Sequence, residues 1–580
     1  MGRQDLVLTF ALLLLPVVPI AFLACGGELQ STGQDVSGAD GAGWSCGQPE
    51  PCELSSYAKE LPAAGVVYVN SCCAAVGNPD GSLKHPFADI GSAVAAAKPG
   101  DTIAVAAGVY EESVKVDKSI SLLGAGRERS LLHSTDANPT VLLDKVEGIS
   151  VSGLSLTGAG GVGLTVQKSK DVSLSGLSVS GYQEGASGQV GVGLLVFGTT
   201  GVTGVGLHVW GNRAYGIYFS GSSGFVSGSR IHENGIGCES AGIGLANGST
   251  LTLGMKESPA DYAQAGVLDA GGSLLEDNNG VGLYAEESVV TANGVEFSGN
   301  LCGGMLLSCS SPQPGATTLA GSILRGLMER GVEVRGCSLE IANSLFEDIE
   351  AQPGGFPGHC LLAVQDAVEG TSVVVMDSQF KGCAGAGILL EGPVKAEISD
   401  NQLSELGSAG IWAQCGAKVA QVARNAVDGA GAAGIAVTDG SSALVTGNSV
   451  NLTHWDSIVD FDDSKVVEVA DGLLVSEIEL AGAILLEGNE VLGSERVGII
   501  IDQADETSVT FGAGNKVAGN AMAGISLQNG AESIAVAADL AGSVQFEVEG
   551  AGPNGGEGDL VTGKAFEIVT KMCIPPECKE

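Results

Sequence analysis

The sequence predicts an all-β chain wound as a right-handed parallel β-helix, a solenoid with three short strands per coil and a helical cap at its N-terminal end. Two periodic markers and one capping segment predict it. The first marker is a tetrad of Gly, large aliphatic, any residue, aliphatic. It stands as Gly163-Leu164-Thr165-Val166, Gly193-Leu194-Leu195-Val196, Gly216-Ile217-Tyr218-Phe219, Gly282-Leu283-Tyr284-Ala285, Gly304-Met305-Leu306-Leu307 and Gly331-Val332-Glu333-Val334. It continues as Gly387-Ile388-Leu389-Leu390, Gly410-Ile411-Trp412-Ala413, Gly434-Ile435-Ala436-Val437, Gly498-Ile499-Ile500-Ile501 and Gly524-Ile525-Ser526-Leu527. The second marker is Asn401, Asn425 and Asn448, spaced 24 and 23 residues apart, each two residues before an aliphatic. Two markers sharing one period identify a solenoid.

Elementary physics selects the type. Alternation at period two marks strands with one buried face. Glycine adopts the left-handed backbone region freely and asparagine tolerates it, so both are expected at corners between strands. Coils then stack about 4.8 Å apart, with alternate side chains feeding one aliphatic column. The 580 residues therefore read as one elongated domain, because a solenoid escapes the usual limit on core size. The spacing of leucine-rich repeats is absent, and helical repeats need longer amphipathic runs.

The column needs a lid, since an open end invites aggregation. Ile90, Ala93, Val94 and Ala97 share one helical face, and Pro99-Gly100 ends the run. Strands around Asp101–Val105 and Gly108–Val114 then open the first coil. Here the chain resembles the opening of pectin-lyase-like β-helix proteins. Over roughly 140 to 530 the resemblance is the period alone, which implies the fold and no particular member. The expected layout is a cap and first coil over 46–130, coils over 131–530, and a C-terminal cap over 531–580. Ser543–Val548 supplies strand-like alternation in that last part.

The N-terminus reads as an export signal over residues 1–24, apolar from Leu6 to Ala24. Phe22-Leu23-Ala24-Cys25-Gly26-Gly27 resembles a bacterial lipobox, which implies lipidation of Cys25; the usual Leu three before the cysteine is Phe here. Residues 26–45, rich in Gly, Ser, Asp and Gln, cannot bury a core and read as a tether. The implied location is exported, held to the outer membrane or cell surface by that lipid alone.

The chain has 14 cysteines, so 13 remain without Cys25, an odd number. Disulfides are the default for an exported chain. Cys46 with Cys52, and Cys573 with Cys578, are near in sequence. Cys309 and Cys337 occupy similar places in adjacent coils, as do Cys360 and Cys383, so each pair could stack and bond. With 67 acids against 27 bases the net charge is -40, which excludes nucleic-acid binding and leaves basic partners or Ca²⁺ as candidates.

β-helix enzymes act on polysaccharides with groups projecting from one strand ladder. The third position of the tetrad and the residue that follows the tetrad point outward here. The catalytic candidates are Glu286 and Glu333, about 10 Å apart if two coils separate them, near the spacing of inverting glycoside hydrolases. Tyr284 and Arg335 flank them, Tyr218 or Trp412 could stack on sugar rings, and the face as a whole would present Tyr218, Tyr284 and Trp412. Residues 451–472 interrupt the repeat; Asp460, Asp462 and Asp463 there are either Ca²⁺ ligands or a solvated acidic bulge. No other cofactor is expected. Gly108-x-Tyr110-x-Glu112 looks like the start of pectin methylesterases, but their active-site motifs are missing downstream, as are those of pectate lyases and polygalacturonases. The six histidines look scattered. The reading is a non-catalytic envelope lipoprotein offering an extended face to glycans or proteins; the alternative is a polysaccharide lyase or glycoside hydrolase using the acidic pair.

Overall fold

The computed structural model describes residues 53–71, 78–184, 190–255, 272–311, 313–352, 357–365, 370–459, 466–478 and 480–536, together with 554, 558–562 and 566. Three strands make a coil, for example Val162–Gln167, Lys170–Ser175 and Ser178–Ser180. Equivalent strands stack in parallel as three sheets, which we call the tetrad sheet, the second sheet and the third sheet in chain order. Leu164 lies beside Leu194, then Ile217, then Ile243, and the same column runs on through Ile411 and Ile435 to Ile499 and Ile525. These side chains form one continuous buried spine with aliphatics from the other sheets.

The tetrad glycines are needed for closeness, not for corners. They are absent from the positive-φ positions. A Cβ on Gly410 would stand 2.4 Å from the carbonyl oxygen of Gly434 in the next coil. The asparagine marker also differs from expectation. The left-handed residue is the one before it, Asp400 at φ 59° and Arg424 at φ 56°. The asparagines themselves turn inward and form a ladder. Asn401 Nδ2 donates to Asn425 Oδ1 at 3.0 Å, Asn425 to Asn448 at 3.0 Å, and the series continues to Asn489 and Asn515. Each amide thereby satisfies the buried polar groups that a tight corner exposes. A like ladder runs from Asn212 through Asn234 and Asn278 to Asn300.

The N-terminal lid is the helix α1, Ile90–Ala96, which buries Ile90, Ala93 and Val94 on the spine. Both of its ends are satisfied by the first coil. Glu112 accepts the N–H groups of Ile90 and Gly91 at 2.7 and 2.9 Å, and Lys118 donates to the Val94 carbonyl at 2.8 Å. Such contacts close the orphan backbone groups of a short helix and favour its dipole. At the other end, Gly558–Thr562 adds a strand to the tetrad sheet beside Ala523–Gln528; Ser543–Val548 lies outside the described residues.

Cys309 bonds to Cys337 and Cys360 to Cys383, each tying one coil to the next, and Cys238 bonds to Cys302. Three disulfides fit a chain matured in an oxidising compartment. Cys25, Cys46, Cys52, Cys573 and Cys578, with the export signal and tether, lie outside the described residues. Among the described residues no helix is long and apolar enough to cross a membrane.

Candidate glycan-binding face

The outward side of the tetrad sheet has two regimes. Side chains at the third position leave the spine, as alternation requires, but from Glu333 onward they do not reach solvent. Leu362, Leu389, Trp412, Ala436, Leu474 and Ile500 form a second buried apolar cluster outside the spine. Val467 and Val469 join it from a hairpin in which Asp456–Val459 pairs antiparallel with the start of Val466–Ile478. The break at 451–472 is thus partly structural, not only a solvated bulge. Its candidate Ca²⁺ ligands Asp460, Asp462 and Asp463 lie outside the described residues.

This burial corrects two expectations. Trp412 is fully buried, its Nε1 donating to Thr438 Oγ1 at 3.1 Å, so its ring is closed to a ligand. Glu333 is also sealed, at 1 % exposure. It forms ion pairs with Arg330 and Arg335, and Arg330 also pairs with Glu329 at 2.8 Å. A carboxylate held by two guanidiniums is not poised to exchange protons, and Arg335 is committed to it rather than to a ligand. The register sets Glu286 beside Ser308 and Ser308 beside Arg335, while Glu333 follows Leu306. The two glutamates are therefore two coils apart and also offset along the strand, one exposed and one enclosed. They do not frame a common cleft. Beside them His359 is wholly buried, and burial first, then Arg330, holds its imidazole down at about 3.

The open regime lies N-terminal to this cluster, where Tyr218, Gly244 and Tyr284 succeed one another in the third-position column. The missing side chain at Gly244 is decisive. A Cβ there would meet the Tyr218 ring at 2.7 Å and the Tyr215 ring at 2.8 Å. The glycine thus lets both rings lie down over the sheet instead of standing off it. The Tyr215 and Tyr218 centroids are 4.9 Å apart. Ala241, Val281 and Cys302, the last fixed by its bond to Cys238, form an apolar floor against which Tyr215, Tyr284 and Leu306 pack. All three tyrosines are half-buried, and exposed Glu286 stands at the edge. Burial and then Glu286 raise the Tyr218 and Tyr284 hydroxyls, Tyr284 to about 12, so both remain protonated donors at neutral pH.

The arrangement is a flat aromatic patch about 10 Å long, two strand spacings. Hydroxyls and a carboxylate border it. Such a surface can stack on apolar faces of sugar rings and hydrogen-bond their edges. Tyr218, Tyr284 and Glu286 were legible as outward positions. Tyr215 was not, because it precedes the tetrad. Gly244 was missed because Gly242-Ile243-Gly244-Leu245 has a small residue in the variable place, although it keeps the motif. Cys238, Cys302 and the Glu329 carboxylate also converge, but the two sulfurs are joined to each other rather than open as metal ligands.

A family model described as a right handed beta helix region matches residues 279–450. The solenoid is right-handed. No curated protein matches. Among solved structures, the chain resembles ORF18 of Geobacillus virus E2 at 13% identity and TM-score 0.23, covering 62% of this chain and 56% of that one. It thus spans little more than half of that protein. It resembles the Agl-KA catalytic domain at 12% identity and TM-score 0.32, covering 75% and 68%. It resembles the pectate lyase Pel9A at 15% identity and TM-score 0.28, covering 57% and 81%.

Proposed function

We propose that this chain is a non-catalytic envelope scaffold, exported and anchored through a lipid on Cys25, that binds neutral glycan chains on the tyrosine patch. The observation that carries the reading is Gly244 lying between Tyr218 and Tyr284 in one column, which lets the Tyr215 and Tyr218 rings lie over the sheet. The net charge of -40 argues against polyuronates as ligands, since like charges repel along the whole surface. The confinement of Glu333 between Arg330 and Arg335 removes one member of the acidic pair from solvent, which disfavours the hydrolase alternative.

Titration calorimetry of the purified mature chain against neutral and acidic polysaccharides tests the proposal. Neutral chains should bind without release of reducing ends. Tyr218→Ala and Tyr284→Ala should each weaken binding about tenfold, some 1.4 kcal/mol. Trp412→Phe should leave affinity unchanged. No neutral glycan bound, or affinity indifferent to both tyrosine variants, would sink the reading.

A further inference from the structure

The third sheet places together two histidines that look scattered in the sequence. His208 and His232 are 24 residues apart, one coil, and lie on neighbouring strands His208–Trp210 and Arg230–His232. Their Nε2 atoms approach to 2.8 Å. The ring centroids are 5.0 Å apart with planes at 24°. The excess of the centroid distance over the nitrogen distance is about one imidazole diameter, so both nitrogens lie near the line joining the rings. The imidazoles thus meet head to head, with their in-plane lone-pair directions opposed.

The surroundings are informative. Trp210 lies almost equidistant, its centroid 6.1 Å from His208 and 6.0 Å from His232. His232 Nδ1 faces the Glu233 carboxylate at 3.3 Å, which places a proton on Nδ1 and leaves Nε2 bare. His208 Nε2–H then donates across the gap. Burial holds both imidazoles below the usual histidine range, His208 at about 4, with His232, Arg127 and Arg230 adding to the effect on His208. Arg230 is ion-paired with Glu276. Arg127 is paired with Glu128, so the local charges are two guanidiniums against three carboxylates, Glu128, Glu233 and Glu276.

We propose that His208 and His232 form a linear two-coordinate site for a soft monovalent d¹⁰ cation of the Cu⁺ or Ag⁺ class. Opposed lone pairs suit a linear ion and not the four-ligand shell that Zn²⁺ requires. The single excess carboxylate matches one added positive charge rather than two. At about 2 Å per metal–nitrogen bond, the nitrogens must separate to about 4 Å, an outward rotation of part-exposed His208 away from buried His232. On binding, the ion replaces the shared proton and two dative N–metal bonds form. His208 moves its proton from Nε2 to Nδ1, so no proton is lost and nothing is oxidised or reduced.

The test uses the purified full chain with its thiols alkylated by N-ethylmaleimide, in chloride-free buffer, titrated with Ag⁺. One ion per chain should bind, and X-ray absorption should report two nitrogen neighbours. His208→Ala and His232→Ala should each weaken binding at least a hundredfold with unchanged thermal melts. Equal affinity in the parent and the double variant would overturn the proposal. So would oxygen-only or sulfur-only coordination in the parent, which needs no variant, or tighter binding of Zn²⁺ than Ag⁺.

Discussion

Individual buried titratable groups on the covered half of the tetrad sheet respond to solvent chemistry in definite directions. His359 Nδ1 accepts the Ala386 N–H at 2.8 Å, so the folded protein holds the neutral ring. Its folded value, about 3, is below the 6.5 of a free histidine. Between these values the unfolded chain binds more protons than the folded one. Stability from this group is thus complete above about pH 6.5 and is lost as pH falls toward 3, by up to about 1.4 kcal/mol per pH unit. His359→Asn keeps an acceptor and should flatten that part of the slope in urea melts at pH 4.5 and 7; an identical slope would contradict the assignment. Glu333→Gln leaves Arg330 and Arg335 without their shared counter-charge inside the protein and should cost about 3–5 kcal/mol in the same melts.

At the scale of the coil, two devices fix the spacing between neighbours. The asparagine ladder is one. In Asn425→Ala, the backbone N–H and the Nδ2 of Asn401 both lose their acceptor on residue 425. Each unsatisfied buried group costs about 1–3 kcal/mol, so a loss of several kcal/mol is expected on thermal denaturation. The tetrad glycine is the other. Gly410→Ala forces a Cβ against the Gly434 carbonyl, whereas Gly416→Ala meets nothing within 4 Å and bears only the strain of φ 81°. The first should fall well below the second in melting temperature. Equal losses would mean that conformational strain, not coil contact, makes these glycines necessary. The stack explains why the asparagine spacing was readable while its role was not. A period fixes which residues align, but the direction of an amide depends on the coil above it.

Taken whole, the molecule is a one-dimensional stack in which each coil touches chiefly its neighbours, so perturbations should stay local. The Cys309–Cys337 and Cys360–Cys383 bonds close short loops between adjacent coils, with sequence separations of 28 and 23. Chain-entropy arguments give each about 3–4 kcal/mol. Their reduction should raise amide exchange across roughly 305–390 and leave coils near 162–227 protected. Uniform deprotection along the chain would show instead that the stack unfolds as one unit.

The solenoid, its period, the inward and outward columns, the helical lid and the alignment of two cysteine pairs are all legible in the chain's residues, because each follows from periodicity and local chemistry. Which outward residues meet solvent is set by the packing of the folded chain. Trp412 and Tyr284 occupy the same column, yet one is enclosed and the other half-open. Pleating sets the direction in which a side chain leaves the strand, whereas its burial depends on segments distant in the chain. The same non-local logic gave Glu333 its two arginines and set His208 against His232, contacts that exist only once separate stretches of chain are stacked.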